Sequence, residues 1–118
     1  RLIIYRKLTS AISNRELKDV LYEIEDRYGS YPMEVKNLIN LLTIKIQSIS
    51  IGIIKINLQK KFIDLVFHKV NQNVSNTLLD MVQQNFIKMK SSKAIQIKNV
   101  EKDDLFYSIK LFYKKLGY

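Results

Sequence analysis

The chain has 118 residues, 47% of them apolar, and its 20 Lys and Arg against 11 Asp and Glu leave a net charge of +9. The lack of Cys excludes a disulfide framework and a thiolate metal site, and a single histidine, His68, makes a His-based zinc site hard to build. No apolar run approaches the roughly 20 residues that cross a bilayer, and the opening Arg1-Leu2-Ile3-Ile4-Tyr5-Arg6 lacks the apolar stretch and cleavage site of a signal peptide.

Length and the scarcity of breakers fit one domain over residues 1–118, and a start at Arg1 instead of Met is expected of a piece of a longer polypeptide. From Arg1 to about Ser13, Ile4, Tyr5, Leu8 and Ile12 recur at helical spacing. Ser13-Asn14-Arg15-Glu16 then reads as a capping box: the Ser13 hydroxyl accepts from the amide three residues on, and Glu16 reaches back to the Ser13 amide. A second helix follows, with Leu17, Val20, Leu21, Ile24 and Tyr28 on one face and Gly29 placed to end it in a left-handed conformation.

Pro32 suits the first position of a third helix, whose stripe Val35, Leu38, Leu42, Ile46 and Ile49 runs to Gly52. The period then changes to two. Ile54, Ile56 and Leu58 alternate with polar residues, and 62–67 follows after Gln59-Lys60-Lys61, which predicts a hairpin. Residues 73 to about 89 read as a helix through Leu78, Leu79, Val82 and Phe86, and Ala94 to Lys98 as a third strand through Ile95 and Ile97. A last helix buries Leu105, Ile109, Phe112 and Leu116, with Phe106 and Tyr113 at the edges of the stripe. The order ααα-ββ-α-β-α implies an α+β fold with a small, mostly antiparallel three-stranded sheet.

Charge is unevenly spread. Residues 16–34 hold six acids against Lys18 and Arg27, a net −4, so the remainder carries +13. At 100° per residue Glu16, Asp19, Glu23 and Asp26 share the side of the second helix opposite Leu17 and Ile24. Glu16 and Asp19 lie near the positive end of the helix dipole and Glu23 can pair with Arg27, so a solvated face accounts for them. Asp26 lies in the last turn, where a negative charge is disfavoured by roughly 0.3–1 kcal/mol, and suits a partner contact better than helix stability.

Catalysis finds little support. Glu23 and Asp26 stand on a convex helix face among exposed charges, and acid–base work needs a cleft that such a face does not offer. The three glycines, at 29, 52 and 117, form no phosphate-cradling loop. Nucleic-acid binding is the alternative: Lys60-Lys61, Lys88, Lys90, Lys93, Lys98, Lys110, Lys114 and Lys115 can neutralise phosphates. They are scattered, however, and Lys outnumbers Arg four to one.

The segment Arg1-Leu2-Ile3-Ile4-Tyr5-Arg6-Lys7-Leu8, then Glu16-Leu17, then Glu23-Ile24-Glu25-Asp26-Arg27-Tyr28-Gly29 with Pro32 three residues later, and finally Ile51-Gly52-Ile53, resembles the C-terminal (TRCF) domain of bacterial transcription-repair coupling factors, the Mfd family. The likeness is one of order and spacing over residues 1–56, and of element order from Asn57 onward. It implies a parent that is an ATP-driven DNA translocase, acting on stalled RNA polymerase in the bacterial cytoplasm and recruiting nucleotide excision repair through UvrA. The domain itself is then expected to be non-catalytic and without a cofactor, since ATP and Mg belong to motor domains outside this chain. It is expected to pack on the parent's N-terminal UvrB-like module and mask the UvrA-binding surface. The family's contacting acids match Glu23 and Asp26, to which Asp19 and Glu16 add without a motif match. Arg27, Tyr28, Gly29, Pro32 and Gly52 are then structural: Arg27 tethers the end of the second helix, and Tyr28 replaces the commoner Phe with its ring buried and its hydroxyl at the edge.

Overall fold

The computed structural model describes residues 2–100 and 104–118, with side chains from residue 5 onward. The chain divides into two compact units, residues 1–47 and 48–118.

In the first unit, α1 (Leu2–Ser10), α2 (Asn14–Tyr28) and most of α3 (Met33–Ile51) surround a core of Leu8, Ala11, Leu17, Ile24, Leu42 and Ile46, with Val20, Leu21, Tyr31 and Leu38 packed against it. The first helix ends at Ser10, earlier than its spacing predicts. Ala11 takes the buried place and Ile12 is 61% exposed, because the chain must turn before the cap at Ser13. Ile4 of the expected stripe has its side chain outside the described residues. Lys45 crosses from α3 to donate to the Thr9 carbonyl at 2.8 Å, satisfying one acceptor that the end of α1 leaves open.

The cap of α2 forms with one change of partner. Ser13 Oγ accepts from the Glu16 amide at 3.1 Å, but the Glu16 carboxylate reaches the Ile12 amide, at 2.8 Å, instead of that of Ser13. At the other end Gly29 has φ 74°, and its amide donates to the Glu25 carbonyl at 2.9 Å. Pro32 directly precedes α3 and its carbonyl accepts the Lys36 amide at 3.1 Å. The stripe expected along α3 holds for Leu42 and Ile46 only in part of the helix. Ile49 is 51% exposed, whereas Ile44, Ser48 and Ile51 are buried on the side roughly opposite Leu42.

The second unit is built on a fully antiparallel sheet of four strands in the order β1-β2-β4-β3: β1 (Ile53–Leu58), β2 (Ile63–Phe67), β3 (Ile87–Met89) and β4 (Ala94–Ile97), with α4 (Gln72–Gln83) and α5 (Leu105–Lys115). The sequence predicts three strands. The fourth, β3, lies in what reads as the tail of a long helix: α4 stops at Gln83, and Asn85 turns the chain at φ 60°. Asn tolerates the left-handed region because its short amide can bond locally, and here Lys98 Nζ donates to Asn85 Oδ1 at 2.6 Å. Three residues then suffice to pair with β4. The buried face of α4 is correspondingly Leu78 and Met81, while Leu79 and Val82 are turned outward.

Register corrects the reading of β1 as well. Ile53 opposes Phe67 and Ile56 opposes Leu65, with a register shift between Ile53 and Lys55, so Ile54 is the extra residue of a bulge and is 65% exposed. Strict alternation from Ile54 would have placed it on the same face as Ile56. Ile63, Leu65, Phe67, Ile87, Ile95 and Ile97 make the buried side of the sheet. From α5, Ile109 and Phe112 are buried as expected, but Leu105 and Leu116 only half so. Tyr113, read as an edge residue, is fully buried, because its hydroxyl meets Ser48 Oγ at 2.6 Å.

Candidate functional site

The candidate site is the outer side of α2. Its inward side is set by Leu17 and Ile24, each 5% exposed, and every acid of the sequence-derived cluster falls on the other side. The structure then separates those acids by what they already bind.

Glu16 is spent on the cap, its carboxylate accepting the Ile12 amide. Glu23 is held from two directions: Lys7 Nζ of α1 lies 3.2 Å from Oε2, and Arg27 Nη2 lies 3.5 Å from Oε1. This partly shielded carboxylate ties α1 to α2, and Arg27 is drawn back along its own helix toward it. Asp19 and Asp26 are exposed, and among the described residues neither has a hydrogen-bond or ion-pair partner.

Tyr22, which charge counting passes over, lies on the same side, three residues from Asp19 and four from Asp26, with 76% of its surface exposed. Its signal was available: it is the one large aromatic among the residues opposite the Leu17–Ile24 stripe. The outer face therefore presents two free carboxylates flanking an aromatic ring. Such a surface can take up a guanidinium or ammonium group by charge-assisted hydrogen bonds and ring contact.

The motif residues fall at the end of the same helix. Gly29 terminates α2 and Gly52, at φ 92°, turns the chain from α3 into β1, where its carbonyl accepts the His68 amide at 2.8 Å. Tyr28 departs from expectation, with 57% of its surface exposed instead of a buried ring. It sits in the last turn of α2 immediately before the Gly29 turn, where little structure lies over it.

The lysines proposed for phosphate contact are distributed over the β1–β2 turn, β3, the β3–β4 turn, the position just after β4 and α5. Lys90 is engaged with Asp64 at 3.6 Å, Lys98 with Asn85, and Lys115 stands 5.2 Å over the Phe86 ring. Among the described residues no group of three or more His, Cys, Asp or Glu side chains can hold a metal ion, and no helix is long and apolar enough to cross a membrane.

Comparison with known proteins agrees with the residue pattern. The family model described as TRCF domain matches residues 1–79. The transcription-repair-coupling factor of Buchnera aphidicola subsp. Acyrthosiphon pisum is 31% identical over 98 residues, covering 81% of this chain and 12% of that protein. The protein of the same description from Staphylococcus aureus (strain USA300) is 31% identical over 77 residues, 64% of this chain and 7% of its own length. The chain thus spans a small fraction of the relatives it matches. A crystal structure of the C-terminal domain of transcription-repair coupling factor superposes with a TM-score of 0.71 at 18% identity, over 98% of this chain and 78% of that one, which establishes the shared α+β fold. With more than half of its residues matched by the family model, the chain belongs to the TRCF domain family, found in transcription-repair-coupling factors.

Proposed function

We propose that this chain is a non-catalytic interaction domain of a transcription-repair coupling factor, which docks the outer face of α2 on the parent's N-terminal UvrB-like module and masks its UvrA-binding surface. The observation that carries the reading is Asp26: an exposed carboxylate without a partner among the described residues, in the helix turn where the dipole opposes it. A charge placed where the helix dipole opposes it is accounted for by a contact made outside the domain. Asp19 and Tyr22 complete the surface, and basic side chains on the facing module, Arg above all, would complement it.

Glu23 plays a second part in this arrangement. With Lys7 and Arg27 against its oxygens it holds α1 to α2 and keeps the helix presented, and its remaining lone pairs are open to a partner. A lid held by a few exposed ion pairs, each worth about 0–1 kcal/mol, is weak enough to open. RNA polymerase or DNA bound elsewhere on the parent then needs to favour the open form by only a similar amount to expose the UvrA site.

The test is binding of this chain, added in trans, to the N-terminal UvrB-like module. Asp26→Lys is the cleaner probe than Glu23→Lys, because the latter also breaks the Lys7 contact within the domain. Loss of binding in Asp26→Lys, with retention in Lys36→Glu on another surface, supports the docking face. Equal binding by wild type and Asp26→Lys moves the contact away from α2. In the full-length parent, Asp26→Lys is expected to raise UvrA binding in the absence of stalled polymerase.

A further inference from the structure

Tyr28 and its neighbours shape a second feature of the first unit, distinct from the outer face of α2. An open cleft of about 520 Å³ lies between the α2–α3 turn and α1, with Leu8 and Ile24 at its base and Tyr5, Tyr28 and Tyr31 around it. This falls within the roughly 300–1,000 Å³ of sites that take small groups. Tyr5 and Tyr28 are 42% and 57% exposed, and Tyr31 half-buried. Among the described residues none of the three rings pairs with another aromatic ring, and none of their hydroxyls has a hydrogen-bond partner.

One charged group lines the cleft. Glu34, in the first turn of α3, is exposed and has no ion-pair partner among the described residues. Its carboxylate oxygens are therefore open to a donor. An apolar base, three unstacked tyrosines and one free carboxylate are together complementary to a group that is flat, cationic and weakly hydrated. Arginine has those properties: its guanidinium stacks on aromatic faces and its fork matches a carboxylate, while a lysine ammonium is a compact, strongly hydrated charge.

We infer that this cleft is an arginine-binding site, taking the side chain of one Arg presented by a partner polypeptide between Tyr5, Tyr28 and Tyr31 with its guanidinium on Glu34. The Arg27-Tyr28-Gly29 step thereby acquires a binding role: the Gly29 turn leaves Tyr28 uncovered at the mouth of the cleft. The cleft shares no lining residue with the Asp19–Tyr22–Asp26 face of α2.

The test uses the 118-residue chain and a capped pentapeptide, Gly-Ser-Arg-Ser-Gly, followed by amide and aromatic-ring NMR shifts, with the citrulline and leucine peptides as controls. Saturable shifts at residues 5, 28–31 and 34, at least about fivefold weaker for the uncharged citrulline peptide, are expected. Glu34→Gln and Tyr28→Ala should each weaken the arginine peptide by about two- to fivefold, and Tyr28→Phe should retain it because the ring face is kept. Tyr28 and Glu34 are exposed, so these variants fold. Equal binding of the citrulline or leucine peptide overturns the proposal, as do shifts centred on Asp19 and Asp26 that Glu34→Gln leaves unchanged. Absence of any saturable shift with 10 mM arginine peptide overturns it as well.

Discussion

A tyrosine hydroxyl in a core requires a partner, and Tyr113 has one in Ser48, yet burial still dominates its ionisation. Desolvation pushes the phenol above its ordinary value, and the hydrogen bond from the Ser48 side only partly offsets this. The unfolded chain therefore ionises at Tyr113 before the folded chain does. The neutral Tyr113 contributes its full stability below about pH 10 and loses it as pH rises beyond. Thermal unfolding at pH 8 and pH 11 should show a smaller alkaline loss in Tyr113→Phe than in the wild type. Asp26 makes the opposite case at residue scale, a charge whose removal helps the fold. Asp26→Lys should stabilise α2 by up to about 1 kcal/mol, read as a higher midpoint in urea, while abolishing the docking proposed above. A variant that is more stable and yet fails to bind separates the functional role of the residue from any structural one.

At the scale of elements, capping residues and glycines carried most of the legible information. Ser13 begins α2 and Gly29 ends it where the spacing predicts, because both act through their own backbone and the adjacent turn. Ser13→Ala should cost about 1 kcal/mol and lower the melting temperature by several degrees, whereas Ser13→Thr should leave it nearly unchanged. The acidic cluster was also legible as a helix face, but not its division into committed and free members. That division depends on Lys7, 16 residues away in sequence, and on which amide the Glu16 carboxylate reaches. The missed strand β3 has a similar cause. Three residues are too few to show a period, and Ile87-Lys88-Met89 becomes a strand only because β4 offers its edge. The Ile54 bulge likewise belongs to the pair of strands and not to β1 alone.

For the whole molecule, charge separates along the chain. Residues 48–118 hold 12 Lys against five acids, for +7, while residues 1–47 hold eight bases against six acids, for +2. A surplus of this kind attracts duplex DNA weakly and without sequence preference. The expected result is that any binding of this chain to a 20-base-pair duplex disappears between about 50 and 200 mM salt. Affinity that survives at 200 mM, measured by fluorescence anisotropy, would favour an accessory DNA-binding role over a purely interdomain one.

The sequence by itself determined the α+β class, the order of most elements, the ends of α2 and the family, because these rest on short-range periodicity, caps and turn residues that each segment encodes locally. It also placed Glu16, Asp19, Glu23 and Asp26 on one side of a helix, since 100° per residue needs no partner. Only tertiary structure decided which of those acids remain free, that Tyr28 is exposed beside a cleft, that Tyr113 is buried, and that a fourth strand exists. These outcomes turn on which distant side chain or strand edge arrives beside a residue, and period and propensity carry no information about that.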